Sequence, residues 1–255
     1  MTRPLRPAPR SPRKPRPAVA AHKAPAKAAG TRSGKAAASK PYHHGDLRRV
    51  LVEAAFDLVA ERGPETVSVR EAARRAGVSP GAPFRHFESR DALMAAVAAE
   101  AQRRFRQEIA TALAAVPADQ PLRRFRALGL AYLRWAMRNP GHFEVISDGR
   151  LFDFDAAQGE ASGLKADNAE IIDMSAQWLA DASAKGLLRS ADVKLMQIAG
   201  RALVYGYARM KADGHFPRWG VGEAEIEPMA EAVLDLFLAG IAKGDGPIKG
   251  RAPRA

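Results

Sequence analysis

Residues 68–90 hold several helix-boundary signals in close succession, and this feature limits the fold more than any other in the sequence. Ser68 precedes an apolar-periodic segment and is followed three residues later by Glu71, which is the pattern of a capping box. Gly77 comes after about two helical turns, where a glycine is typical of a helix C-terminus. The pattern predicts a short, sharply bounded helix.

A second short helix is predicted directly afterwards. Ser79-Pro80 places an N-capping residue before a proline at the first helical position, where no backbone N–H is needed, and the helix extends to about His86. Ser89 then caps a longer helix that begins at Arg90. Two short helices joined by a turn that contains glycine form a helix-turn-helix, which places its second helix in the major groove of DNA.

Helical periodicity continues on both sides of this motif. Apolar residues recur at helical spacing over residues 47–59, and Gly63-Pro64 ends that helix. Residues 122–138, 161–185, 193–210 and 226–238 predict further helices, the first ending at Asn139-Pro140, the second closed by Gly186 and the third capped by Ser190, with short segments near 143–146 and 151–154. Strand-like alternation is absent from the sequence. The predicted fold class is all-α, with an N-terminal three-helix helix-turn-helix domain and a C-terminal helical domain.

Charge is distributed unevenly along the chain. The net charge is +12, but residues 1–41 hold eleven basic residues, no acidic residue and eight of the eighteen prolines. Such a segment has little to bury and predicts a disordered basic tail, whereas the remaining residues together carry a net charge of only +1. The expected divisions are therefore a tail at 1–41, a DNA-binding domain at 42–105 with its motif at 68–87, a helical domain at 106–242 and a flexible C-terminus at 243–255.

Composition excludes several classes of protein and site. The absence of cysteine excludes a disulfide scaffold, a thiolate zinc site and a cysteine nucleophile. The sequence has no apolar run of the ~18 residues that a membrane span needs, so we expect a cytoplasmic protein without membrane contact. No metal-ligand spacing, phosphate loop or catalytic triad is present in the sequence, so we expect no metal, no cofactor and no enzymatic activity.

Residues 42–47, 60–63 and 68–90, taken as an ordered set, resemble the DNA-binding domain of the TetR/AcrR family of transcriptional regulators. The resemblance implies a bacterial regulator that binds double-stranded DNA as a homodimer, associates with the nucleoid when bound, and responds to a small hydrophobic effector of unknown identity. The resemblance thus favours a repressor that recognises a pseudo-palindromic operator.

Position in the motif and the resemblance together indicate which residues contact DNA. Small residues at the start of the third helix allow close approach to base edges, Phe84 stands where the family usually has Tyr, and Arg85 is the single long cation of that helix. His86 and Arg90 match positions that contact phosphate in relatives, and Arg70 would contact the opposite strand. Arg74 and Arg75 are interpreted instead as part of a solvated charged face. The full predicted set is Ser68, Arg70, Ser79, Gly81, Ala82, Pro83, Phe84, Arg85, His86 and Arg90.

The resemblance assigns dimerisation and effector binding to the C-terminal half. That half loosely resembles a subclass named for a Trp-His-Gly motif, with Tyr205 in place of the histidine. Candidate pocket residues, each of which could equally be ordinary core, are Tyr132, Trp135, Phe143, Phe152, Met174 and Trp178. Candidate dimer residues are Gly200, Leu203, Gly206, Val233 and Phe237, although a kink or a pocket wall would also explain the two helical glycines.

The sequence leaves two other functions open. One is an architectural DNA binder that acts through the basic tail, because a flexible cationic arm binds phosphates without reading sequence. The other is a helical small-molecule carrier whose N-terminal helices only pack against the rest of the chain.

Overall fold

Helices account for most of the described chain, as the periodicity predicts. The structure is a computed structural model that describes residues 44–147 and 160–244. Within these residues the helices are α1 (His44–Arg62), α2 (Val69–Arg75), α3 (Arg90–Ala114), α4 (Pro121–Arg138), α5 (Pro140–Ser147), α6 (Glu160–Ala184), α7 (Val193–Ala212) and α8 (Glu223–Ile241). The expectations for the tail, for Phe152, for the segment near 151–154 and for residues from 245 onward lie outside the described residues.

Local capping sets the boundaries of the helix-turn-helix. The Ser68 hydroxyl accepts a hydrogen bond from the Glu71 N–H at 3.1 Å, and the Ser89 hydroxyl accepts one from the Ala92 N–H at 3.1 Å, so both predicted N-caps are confirmed. Gly77 ends the α2 segment with φ of 68°, a left-handed conformation that favours glycine. The Glu71 carboxylate does not complete the capping box as predicted, because it accepts hydrogen bonds from arginine side chains instead.

The predicted third helix is shorter and tighter than expected. Only Ala82–Arg85 is helical, and it is a 3₁₀ helix flanked by turns. Pro83 explains the difference, because its nitrogen carries no hydrogen with which to reach the Ser79 carbonyl, as an α-helix would require. The Ala82 N–H bonds the Ser79 carbonyl instead, at 3.1 Å.

The long helices α3 and α4 form the centre of the fold. Helix α3 packs against α1, α4, α5 and α6, and α4 packs in addition against α7 and α8. Helix α3 runs continuously through residue 105, so the boundary expected there does not separate two structural units. Outside the helices, the described residues contain one isolated β-bridge, between Leu188 and Ala242, which joins the ends of α6 and α8.

The helices predicted for the C-terminal half are confirmed, with one change of cap. Asp192, rather than Ser190, is the N-cap of α7, and its carboxylate accepts a hydrogen bond from the Leu195 N–H at 2.9 Å. Gly186 follows α6 with φ of 68°, as the sequence pattern indicates. None of the helices described is long and apolar enough to cross a membrane.

Candidate nucleic-acid interface

The turn between α2 and α3 presents small and cationic residues to solvent. Ser79, Gly81 and Arg85 are exposed, Ala82 is half-buried, and Phe84 retains 48% of its surface in solvent. An exposed phenylalanine beside an exposed arginine offers an apolar contact for a thymine methyl group and a cation for a base edge or a phosphate. This arrangement is the one a DNA-reading segment requires.

Pro83 is a correction to the predicted contact set. Its side chain is buried, as is Phe87, which is only 1% exposed. The Phe87 N–H donates a hydrogen bond to the Pro83 carbonyl at 2.9 Å, which ties the two residues together. Pro83 therefore anchors the segment to the core and does not face the exterior.

Several arginines of the motif are already neutralised by acidic partners. Arg75 makes two hydrogen bonds to Glu61, at 2.5 and 2.6 Å, and ties α2 to α1. Arg74 pairs with Glu71 at 2.5 Å. The Arg75 guanidinium holds the pKa of the Glu61 carboxyl below its usual value, and Arg74 does the same for the pKa of Glu71. Arg74 and Arg75 thus belong to an exposed charged face, as their positions in the sequence predict.

Arg70 and Arg85 differ from these neighbours. Both are exposed, and neither has a hydrogen-bond or ion-pair partner among residues 44–147 and 160–244. An unpaired exposed cation keeps its full charge for a phosphate, because no internal pair has to be broken first. These two side chains are the strongest candidates for phosphate or base contacts.

Arg90 has a structural role that the sequence did not reveal. Its Nε donates to the Val67 carbonyl at 3.0 Å, and an Nη donates to the Pro64 carbonyl at 2.8 Å. These bonds secure the loop between α1 and α2 to the start of α3. Two of the guanidinium nitrogens are therefore already engaged inside the protein.

The remaining predicted contacts lie around this surface. The Ser68 side chain is half-buried, and its hydroxyl oxygen accepts the capping bond of α2. His86 is half-buried at the end of the 3₁₀ helix, and its backbone N–H donates to the Pro83 carbonyl at 2.8 Å. The structure thus brings Ser79, Gly81, Ala82, Phe84, Arg85 and His86 together on one short segment.

A cavity of about 1130 Å³ opens among α3, α4, α6 and α7. Its walls are largely apolar and include Phe105, Phe125, Leu128, Ile171 and Val204. The volume is slightly above the ~300–1,000 Å³ that small-molecule sites usually occupy.

The aromatic residues predicted to form the pocket divide between its wall and the core. Tyr132 lines the cavity. Trp135, Phe143 and Trp178 are corrections, because they are 3%, 1% and 9% exposed and pack in the core beside it. Trp135, for example, packs on Phe105 with ring centroids 5.1 Å apart. Met174 is half-buried and packs against the same core.

Sequence reasoning missed Arg201, which also lines the cavity. Its guanidinium carbon lies 4.6 Å from the ring centroid of Tyr132 and 5.5 Å from that of Tyr205. The available signal was a cation beside Gly200, between the apolar residues Ile198 and Leu203 of α7. The cation can be assigned to the cavity wall only once α4 is known to pack against α7.

Helices α7 and α8 share an exposed apolar face, here called the apolar stripe. Its large members are Leu195, Ile198, Tyr205, Met229 and Leu236, of which Leu236 is 74% exposed. Large apolar side chains exposed on two neighbouring helices are typical of a protein–protein interface.

The predicted dimer residues occupy different depths around this stripe. Gly206 has open space where a Cβ would lie, so it is accessible to a partner. Gly200 is a correction, because a Cβ there would lie 3.0 Å from Phe125 and 3.3 Å from Phe237, both within the protomer. Its missing side chain allows close packing beside the cavity, which is the pocket-wall explanation. Leu203, Val233 and Phe237 are half-buried and pack against the core.

No group of three His, Asp or Glu side chains within residues 44–147 and 160–244 is arranged to hold a metal ion.

Comparison with known proteins identifies the two halves of the chain separately. Residues 51–97 match the family of bacterial regulatory proteins called the tetR family, and residues 125–237 match the tetracyclin repressor-like C-terminal domain. An uncharacterized HTH-type transcriptional regulator of Mycobacterium tuberculosis is 42% identical over 71 residues, which are 28% of this chain and 36% of that protein. An HTH-type transcriptional repressor of the same organism is 42% identical over 57 residues, which are 22% of this chain and 30% of that protein. The matches thus span about a third of the length of these curated relatives.

A solved structure extends the likeness to the whole fold. A protein of unknown function from Rhodococcus sp. RHA1 superimposes with a TM-score of 0.65 at 28% identity, over 80% of this chain and 100% of that one. The N-terminal motif, the C-terminal domain and the all-α fold agree with one another, and together they show that this chain belongs to the TetR family of bacterial regulatory proteins.

Proposed function

We propose that this protein is a homodimeric transcriptional regulator that binds a pseudo-palindromic DNA operator and is released from it by a small hydrophobic effector. The observation that carries the proposal is the exposed segment Ala82–Arg85, with Phe84 and an unpaired Arg85 facing solvent. Arg70 supplies a second unpaired cation at the start of α2.

DNA reading follows from the shape of this segment. Gly81 and Ala82 are small enough to allow the backbone close to the base edges, while Arg85 reaches a guanine edge or a phosphate. The two-turn α2 helix, secured to α1 by the Glu61–Arg75 pair, holds the segment in place. Residues 42–105 contain ten basic and nine acidic residues, so binding depends on where the unpaired cations lie and not on net charge.

Dimerisation through the apolar stripe brings together the two DNA-binding segments that a pseudo-palindromic operator requires. A twofold pair of protomers would cover the exposed side chains of α7 and α8, and it would place the two reading segments on successive major grooves. Gly206 lies on this surface with room for a neighbouring helix.

Helix α5 provides a physical connection between cavity and DNA-binding segment. At one end, Gly141 and His142 contact the α1 backbone, and at the other end, Ile146 and Ser147 line the cavity. An effector that shifts α5 would move α1 and thus change the distance between the two reading segments.

The repressor role is supported by one of the mycobacterial relatives, which is itself described as a transcriptional repressor. A bacterial transcriptional regulator must reach the chromosome to bind it, so we also propose a cytoplasmic, nucleoid-associated location.

Selection from random-sequence DNA with the full-length protein tests the proposal directly. We expect enrichment of a twofold-symmetric sequence whose half-sites are one or more helical turns apart. Gel-shift assays on that sequence should then show weaker binding by about 1–3 kcal/mol for Arg85→Ala. Arg74→Ala, which removes a cation that is also exposed but is paired with Glu71, is the matched control and should bind almost normally.

Two outcomes would replace this function with another. Enrichment of no sequence, together with a bound apolar molecule in native mass spectrometry, would identify a small-molecule carrier. Loss of all DNA binding when residues 1–41 are deleted would identify an architectural binder, whereas a regulator should keep its site preference and lose mainly salt-sensitive affinity.

A further inference from the structure

The effector cavity contains polar groups that the fold itself does not use. The Tyr132 hydroxyl and the Ser147 hydroxyl are buried, and neither has a hydrogen-bond partner among the described residues. Tyr132 is only 7% exposed and lines the cavity, and Ser147 lines it as well. Buried polar groups in proteins are nearly always satisfied, so an unpaired hydroxyl at a cavity wall indicates that a ligand atom completes it.

A cation lies beside this hydroxyl. The Arg201 guanidinium is placed over the Tyr132 ring at 4.6 Å, and no described carboxylate forms an ion pair with it. Other arginines of α4 and α7 do have acidic partners: Arg126 pairs with Asp235, and Arg209 pairs with Asp213. Among the described residues, the Arg201 guanidinium is thus contacted by aromatic rings and forms no ion pair with a carboxylate.

The charge around the cavity is asymmetric. Lys194 lies two turns before Arg201 on α7, so both cations project from one face of the helix, and both line the cavity. Asp91 is the acidic side chain among the described lining residues, and it lies 3.8 Å from the Arg90 guanidinium. The α7 wall is therefore cationic, and α6 adds a further cation, Lys165, beside the apolar side chains of the other walls.

Burial raises the pKa of Tyr132 to about 12, although Arg201 opposes the shift. The phenol consequently stays protonated at neutral pH and is available as a hydrogen-bond donor. A ligand atom that meets both groups must accept a hydrogen bond and favour a neighbouring positive charge.

We infer that the effector is an amphipathic organic anion whose apolar body occupies the cavity and whose carboxylate or phosphate head pairs with Arg201 and accepts the Tyr132 hydroxyl hydrogen bond. This inference rests on the proposed function, because it specifies the chemical class of the effector. A site for the head group would make the cavity selective for anionic ligands, which apolar walls alone would not do.

The test compares probes that share a body and differ in the head group. Titration calorimetry on the full-length protein at pH 7.5 would use decanoate, decyl phosphate and 1-decanol. We expect at least one of the two anions to bind about tenfold more tightly than the alcohol, as a charge-assisted hydrogen bond predicts. The anion that binds more tightly also distinguishes a carboxylate from a phosphate head.

Two substitutions assign the preference to the named groups. Arg201→Met keeps much of the length of the side chain and removes its charge, so the preference for the anion should disappear. Tyr132→Phe should weaken anion binding about threefold or more, leave 1-decanol unchanged, and preserve thermal stability because the hydroxyl has no partner among the described residues. Arg209→Met removes a paired cation from the same helix and should retain the full preference.

The outcomes separate this inference from the function on which it rests. Equal affinity for decanoate, decyl phosphate and 1-decanol would overturn the anion inference and leave an apolar effector site in place. A preference that survives Arg201→Met would overturn it as well. Failure of all three probes to bind would overturn both the inference and the effector role of the cavity, while the DNA selection would still test the regulator itself.

Discussion

The His142 imidazole lies flat against the phenyl ring of Phe56, with ring centroids 3.6 Å apart and an angle of 19° between the planes. The Nε2 atom of the same imidazole is 3.0 Å from the Phe56 carbonyl oxygen. One residue of α5 therefore holds both the side chain and the backbone of one residue of α1. Through this contact α5, which also lines the cavity with Ile146 and Ser147, is joined to α1.

This contact should make stability depend on pH. Burial lowers the pKa of His142, which also faces the Arg104 guanidinium, while the Phe56 carbonyl and Asp57 oppose the shift. The unfolded chain then binds a proton more readily than the folded chain, so the free energy of unfolding decreases as the pH falls below about 6.5. Urea denaturation at pH 7.5 and pH 5.5 measures the difference.

His142→Gln provides the comparison, because its amide can still donate to the Phe56 carbonyl but does not titrate. We expect the variant to lose less stability between the two pH values than the wild-type protein does. An equal loss in both proteins would show that other groups cause the dependence.

Gly141 should not tolerate a side chain. A Cβ at this position would lie 2.7 Å from the Val59 carbonyl oxygen, and backbone cannot rotate away as a side chain can. We expect Gly141→Ala to lower the free energy of unfolding by about 1–3 kcal/mol and to weaken operator binding, since α5 would be displaced from α1.

Gly163→Ala is the matched control for this change. Gly163 lies in α6, and a Cβ added there would have no neighbouring atom within 4 Å, so alanine should stabilise the helix by up to about 1 kcal/mol. Thermal denaturation measures whether each substitution raises or lowers the melting temperature. Equal changes in melting temperature for the two variants would contradict the close-contact explanation.

Arg90→Ala should lower the free energy of unfolding more than it lowers the affinity of the folded protein for DNA. The substitution leaves the Pro64 and Val67 carbonyls without these donors, at an expected cost of about 1–3 kcal/mol. Chemical denaturation should show the loss, while Arg85→Ala should unfold like the wild-type protein. If Arg90→Ala were fully stable and yet failed to bind DNA, Arg90 would act mainly as the phosphate contact that the family resemblance implies.

Leu236→Glu should separate the protomers. Leu236 is 74% exposed, so a charged side chain there is solvated in the single protomer but is unfavourable in an apolar interface. Analytical ultracentrifugation should report a monomer with unchanged helix content, and operator affinity should fall because one half-site is lost. Ala180→Glu adds the same charge at an exposed position on α6 and should remain dimeric.

The limits of prediction are visible at particular residues. Ser68 and Ser89 could be predicted as caps because each acts on a backbone group three residues away. The orientation of Pro83 could not be predicted, because a proline in a short turn carries no periodic signal. Trp135 could not be assigned to the core in advance, because aromatic residues that line a cavity and those that fill a core are alike in sequence.

The sequence alone determined most of the helices, the Ser68 and Ser89 caps, the helix-turn-helix and the family, because these depend on periodicity and on contacts within a few residues. Only the tertiary structure decided which cations remain available: Arg75 pairs with Glu61 across two helices, whereas Arg85 and Arg201 meet no acid among the described residues. Ion pairing and cavity walls are made by residues far apart in the chain, so they exist only once the helices have packed.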